Sequence, residues 1–401
     1  MLGINRRGAA ARLRARSIFS GLIAGGAVSG GRACSLWLAL CAALTVAACH
    51  PSSELPTRLS DWHQLSVHSG RLVLAKGVVP FDLNTPLFSD YAHKLRTVWL
   101  PKGTHAERVG NEIRFPVGTV FTKTFFYPTD AQGRLLKQLD MHTRTLHTEG
   151  EESLDLSHVK LIETRLLIHR PEGWLTLAYQ WNEAQTRAVL RRAGALVPLE
   201  LHDAVSQEVI SDTYLIPNQL QCGNCHNRNF RSGQSEPLGP RIDHLDRDYD
   251  YASGRENQLL HLTRIGYLTG LDAGPYKPDA DWEQSSAPLE DRARAYLDVN
   301  CGHCHNPGGA AANTTLFLDA AADPSSLHYG ICKRPIAAGR ATGGRLMDIV
   351  AGEPDHSIML YRISSTEPGV MMPEIGRGIA HVEGIALIRA WIASLSQQCS
   401  N

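Results

Sequence analysis

Two pentads in this 401-residue chain have the residue types and spacing to hold a redox cofactor: Cys222-Gly223-Asn224-Cys225-His226 and Cys301-Gly302-His303-Cys304-His305. Each is C-x-x-C-H, the attachment pattern of c-type haem. Thiols three positions apart reach the two vinyl groups on one porphyrin edge and form thioethers. The adjacent histidine then presents its imidazole to iron as the proximal axial ligand. Cys222, Cys225, Cys301 and Cys304 are thus the expected attachment residues, and His226 and His305 the expected proximal ligands.

Two other chemistries use the same letters. Paired CxxC units supply four thiolates to zinc, but these pairs lie far apart and each is followed directly by His. Cys301-Gly302-His303-Cys304 also matches a thiol–disulfide exchange tetrad, which follows a strand in a βαβ unit. Here Leu289 to Asn300 read as a helix, and no Trp precedes the first Cys.

The amino terminus reads as an export signal. Six Arg and no acid occupy the first 48 residues, and the apolar run Leu36–Val46 is too short for a stable membrane anchor. Val46-Ala47-Ala48-Cys49 resembles a bacterial lipobox, with Cys49 as the lipidated first residue of the mature chain. An ordinary signal peptide cut nearby is the alternative. The basic region is long for a signal, which is consistent with a translation start downstream of Met1. These features imply a periplasm-facing protein lipid-anchored to a bacterial membrane, with the outer membrane favoured. Without the six signal arginines, 34 of the 40 basic residues remain against 40 acidic ones. That balance gives no support to nucleic-acid binding.

Of nine cysteines, Cys34 and Cys41 leave with the signal, Cys49 takes lipid and four attach haem. The remaining pair, Cys332 and Cys399, suits a disulfide in an oxidising compartment, with two free thiols as the alternative.

The expected fold class is α+β and multidomain: a β-rich N-terminal domain followed by α-helical cytochrome c-like haem modules. Residues 1–48 form the signal and 49–60 a polar tether. Residues 61–215 hold short β-branched and aromatic runs, such as Val120–Tyr127 and Trp174–Trp181, separated by Gly, Pro and Asp. The first haem-binding module spans 216–284 and the class I cytochrome c-like domain 285–401. Pro217 and Asn218 mark a helix start before the first pentad. A helix at Leu289–Asn300 runs into Cys301, and Ile385, Ile388, Ile392 and Leu395 make the stripe of a terminal helix. Residues 275–287 read as a linker.

The sixth ligand decides what each iron can do, because a His/Met pair suits electron transfer and an open site suits peroxide or oxygen chemistry. Met372, in Met371-Met372-Pro373, is the expected distal ligand of the second haem, with Met371 as the fallback. No Met lies between His226 and Met347. The first haem is therefore left with His261 or His244, with Met347, Met359 or Met141, or with a vacant position.

Asn84-Thr85-Pro86-Leu87-Phe88-Ser89-Asp90-Tyr91, Phe115-Pro116-Val117-Gly118-Thr119, the pentads and Thr366–Pro373 together resemble an uncharacterised family of bacterial dihaem c-type cytochromes with a β-rich N-terminal region. The resemblance covers about residues 60–395. Only the second module is similar to class I cytochrome c in layout; the first lacks a Met-Pro loop. The resemblance implies two covalently bound haem c groups and one-electron exchange with redox partner proteins. A dihaem peroxidase-like oxidoreductase, with the first distal site open, is the alternative. A subunit that docks an oxidoreductase through residues 60–215 is a third.

Overall fold

The structure, a computed structural model, describes residues 54–140, 142–148, 151–272, 274, 276–336 and 339–399. Cys49 and the export signal lie outside them. Pro56–Asn401 form one compact unit. Its centre is a six-stranded antiparallel meander: β1 (Val79–Phe81), β2 (His93–Trp99), β3 (Val120–Pro128), β4 (Val159–Arg170), β5 (Gly173–Trp181) and β6 (Ala188–Leu190). β7 (Ala195–Asp203) and β8 (Val209–Ile216) form a hairpin with Leu135–Lys137 parallel to β7. β-Branched and aromatic residues fill these strands, as their propensity for pleated, half-buried surfaces requires.

Six short α-helices occur among the described residues: α1 (Gln219–His226), α2 (Ile242–Leu245), α3 (Gln258–Arg264), α4 (Leu289–Leu297), α5 (Ile358–Ser364) and α6 (Val382–Ser394). The expected fold class is overturned here. The described residues are β-rich with only a few short helices, and helical cytochrome c-like haem modules do not form. The physical reason is where the apolar stripes go. Tyr296 and Leu297 of α4 and Leu387, Ile388 and Trp391 of α6 share one core with Phe125 and Tyr127 of β3, Leu199 and Leu201 of β7 and Tyr214 of β8. The helices thus complete the core of a sheet rather than enclosing one of their own. The stretch read as a linker is also structural, since Trp282 is buried in this core.

What joins the parts is the segment Asn84–Tyr91. Asn84 Nδ2 donates to the Asp243 carbonyl at 2.8 Å and Thr85 Oγ1 to the Ala280 carbonyl at 2.6 Å. The Phe88 N–H donates to Asn300 Oδ1 at 2.9 Å, and Tyr91 Oη to Glu383 Oε2 at 2.7 Å. Asp90 Oδ1 accepts the N–H groups of Gly378 and Ile379 at 2.8 and 2.9 Å. The polar residues of this segment therefore make a buried strap. No helix among the described residues is long and apolar enough to cross a membrane.

Burial pushes the Asp90 carboxyl up to about 6, against the pull of its two N–H donors. The unfolded chain releases this proton near 3.8 and the fold holds it until about 6. The contribution of Asp90 is therefore complete below the unfolded value and is lost as pH rises through the folded one. Unfolding titrations from pH 4 to 7 should show wild type losing up to about 2–3 kcal/mol relative to Asp90→Asn across that window. Parallel profiles would refute it.

Cys332 and Cys399 are joined by a disulfide across 67 residues, with Cα atoms 5.1 Å apart. Replacing both by Ser should cost about 2–4 kcal/mol, read as a lower denaturation midpoint that reductant does not lower further.

Candidate functional site

Local rules set the first pentad. Asn218 caps α1 by accepting the Gln221 N–H at 2.9 Å, and the Gln221 side chain returns to the Asn218 N–H at 2.9 Å. Cys222 and Cys225 then sit one turn apart on the same helical face. The second pentad begins in the wide turn Asp298–Gly302 that continues α4. Gly302 is required there, because a Cβ would fall 2.7 Å from the Asp319 Cα.

Both pentads open on one cavity of about 810 Å³, lined by Cys222, Cys225, His226, Cys301, His303 and Met372. Its size lies within the roughly 300–1,000 Å³ of small-molecule and cofactor sites. His305 is half-buried and does not line it. Both expected proximal histidines share one arrangement. His226 Nδ1 faces the Glu236 carbonyl at 2.9 Å and His305 Nδ1 faces the Leu316 carbonyl at 3.2 Å. A carbonyl only accepts, so each Nδ1 carries the proton and each Nε2 keeps its lone pair for a metal. Burial holds both imidazoles down at about 4, so both are neutral at neutral pH.

The cysteines do not converge as a four-thiolate zinc centre would require. Of the four, Cys225 and Cys304 join His303 in a group whose ligand atoms lie within 4.8 Å of one another; His244, Asp279 and Asp298 form the other such group among the described residues. The Cys304 thiol beside Cys225 holds the Cys225 thiol below its usual range, whereas burial pushes Cys301 up to about 12. Cys222 is raised by burial against the sheet.

Met372 reaches the cavity and Met371 does not. Arg377 secures that loop: its guanidinium donates to the carbonyls of Met372 at 2.7 Å, Ser365 at 2.8 Å, Ile363 at 3.1 Å and Ile379 at 3.2 Å. His261 is a correction. Its ring stacks on Tyr251 with centroids 3.5 Å apart, its Nδ1 meets Glu256 at 3.0 Å, and it does not line the cavity. Among the described residues, the histidines that line the cavity, His226 apart, are His244, His303 and His381.

Several site residues gave no motif in the sequence. Arg241, His244 and Asp298 form one lining cluster, with Arg241 Nη2 at 2.6 Å and His244 Nε2 at 3.6 Å from Asp298 Oδ2. Arg96, Lys123 and Arg165 line the opposite, sheet side. The signal available for these was a charged residue at an inward position of an otherwise apolar strand.

Compared with known proteins, the chain matches no family model, no curated protein and no solved structure.

The cavity tests whether a haem suits these residues. Its walls combine apolar side chains such as Phe88, Phe121 and Leu167 with cations, and Arg96 Nη2 and Arg165 Nε are buried without a hydrogen-bond partner. An apolar macrocycle with a carboxylate edge meets both demands, and Cys222, Cys225, Cys301 and His226 supply thiols and an imidazole beside it.

Arg377→Ala should cost about 2–4 kcal/mol in denaturant unfolding, because it strands buried carbonyls. Limited proteolysis should then cut between residues 365 and 377 before the strands of the meander. Unchanged stability would mean that Arg377 does not hold the loop.

Proposed function

We propose that this chain is a dihaem c-type cytochrome that transfers single electrons to and from redox partner proteins. Cys222 and Cys225 attach one haem and Cys301 and Cys304 the other. His226 and His305 are the proximal ligands, and Met372 is the distal ligand of the second iron. The observation that carries the reading is the paired Nδ1-to-carbonyl arrangement of His226 and His305, each ending a CxxCH pentad. A four-thiolate zinc site would need all four cysteines together, whereas only Cys225 and Cys304, with His303, form a cluster of that kind among the described residues. When bound, the haems supply the one-electron couple. The chain's own residues orient the imidazoles, exclude water with the core around α4 and α6, and hold the Met372 loop in place.

The lipobox-like Val46–Cys49 supports a lipid-anchored, periplasm-facing location. A second reading, peroxidase-like turnover at the first haem, is favoured by one observation. Arg241, His244 and Asp298 place charged and proton-exchanging groups on the cavity wall. General acid–base chemistry needs such groups close to the reacting atoms.

Pyridine haemochrome analysis of purified holoprotein should return two covalent haems per chain. Cys222→Ala/Cys225→Ala and Cys301→Ala/Cys304→Ala should each return one. Two low-spin ferric signals in electron paramagnetic resonance, without peroxide turnover, fit the carrier. A high-spin signal with turnover fits the peroxidase-like reading, and fewer than two haems in the wild type would end both.

A further inference from the structure

The cavity face of the meander carries three cations in a single cross-strand row. Arg96 on β2 pairs directly with Lys123 on β3, which pairs directly with Arg165 on β4. Like charges opposite one another in a sheet repel; Arg96 is only 3% exposed, and Lys123 and Arg165 are half-buried where they face the cavity. The outer two have acids: Arg96 meets Asp82 at 2.7 Å and Arg165 meets Glu163 at 2.5 Å. Lys123, between them, has neither an ion pair nor a hydrogen-bond acceptor among the described residues; its nearest ring is Phe125, 5.8 Å from the ammonium. Beside it, Arg96 Nη2 and Arg165 Nε are buried and unpartnered. A buried donor without a partner costs about 1–3 kcal/mol, and more when charged. This row is therefore incomplete without an anion.

We propose that the row Arg96–Lys123–Arg165 is a carboxylate-binding site that takes the propionates of the haem held by the first pentad. The proposal rests on the dihaem reading and adds the sheet to the cofactor site. Three features support it. Lys123 and Arg165 line the same cavity as Cys222 and Cys225. Neighbouring strands lie about 4.8 Å apart, so the row offers donors across roughly two such spacings, which suits more than one carboxylate. Guanidinium groups also match carboxylates in geometry. Beside the row, on the same face of the sheet, Phe121 and Leu167 form an apolar wall. A ligand with an apolar body and a carboxylate edge covers that wall, whereas a small free anion leaves it wet. Lys123 is thus a positioning residue.

The test compares purified wild type, Lys123→Met and Lys123→Arg holoproteins. Lys123→Met should keep two covalent haems, lower the midpoint potential of one haem by removing a positive charge, and leave the other unchanged. Its redox-difference infrared spectrum should show shifted carboxylate bands, and Lys123→Arg should restore both readouts. Two haems with unchanged potentials and unchanged bands in Lys123→Met would overturn the proposal while leaving the dihaem reading intact. Fewer than two haems in the wild type would overturn both. Titration of wild type with acetate provides a readout independent of whether Lys123→Met matures. No spectral change agrees with a row already filled by propionate. A saturable shift would assign the row to a free carboxylate and overturn the propionate assignment.

Discussion

The fold depends on one buried strap. Between β1 and β2 the chain runs through Asn84–Tyr91, and almost every polar group there is used across a long sequence separation. Its partners come from the region of the first pentad, from the turn that carries the second, and from the entry to α6. Buried polar groups must be hydrogen-bonded, so these contacts specify a single arrangement. Without the strap, the pentads would belong to separate pieces of chain. With it, both open on one cavity, and Leu87, Phe88 and Ser89 form part of its wall.

That arrangement creates an electrostatic requirement. The meander turns Arg96, Lys123 and Arg165 toward the cavity, and the segments opposite add Arg241 and Arg377. Asp82, Glu163 and Asp298 compensate part of this charge. Arg377 is satisfied by carbonyls and so serves the loop that carries Met372. Lys123 alone stays without compensation from the described residues. A cavity that is apolar on its faces and cationic at one edge selects ligands of the same polarity pattern, independently of the thiols.

The pentads also need more than their five residues. Position five is a useful ligand only when its other ring nitrogen is committed, and the partners are carbonyls ten and eleven residues downstream, at Glu236 and Leu316. Loops that return to the pentad therefore select the tautomer. The same demand was met twice, by unrelated loops, in one chain.

The sequence by itself determined the two pentads that begin at Cys222 and Cys301, because two thiols three apart with a following His is a local pattern. It also determined the local starts and stops, such as the Asn218 cap and the terminal helix, which depend on neighbours within four residues. The strand runs at Val120–Tyr127 and Trp174–Trp181 were legible from their composition. Tertiary structure decided the rest. Whether α4 and α6 would enclose a helical module or pack on a sheet depends on which apolar surface reaches them first, and that partner lies up to three hundred residues away in sequence. His261 showed the same limit: a histidine on an amphipathic helix reads identically whether it faces iron or stacks on Tyr251. The cation row was invisible because its members are distant in sequence and meet only through strand register, and register is a property of the folded sheet.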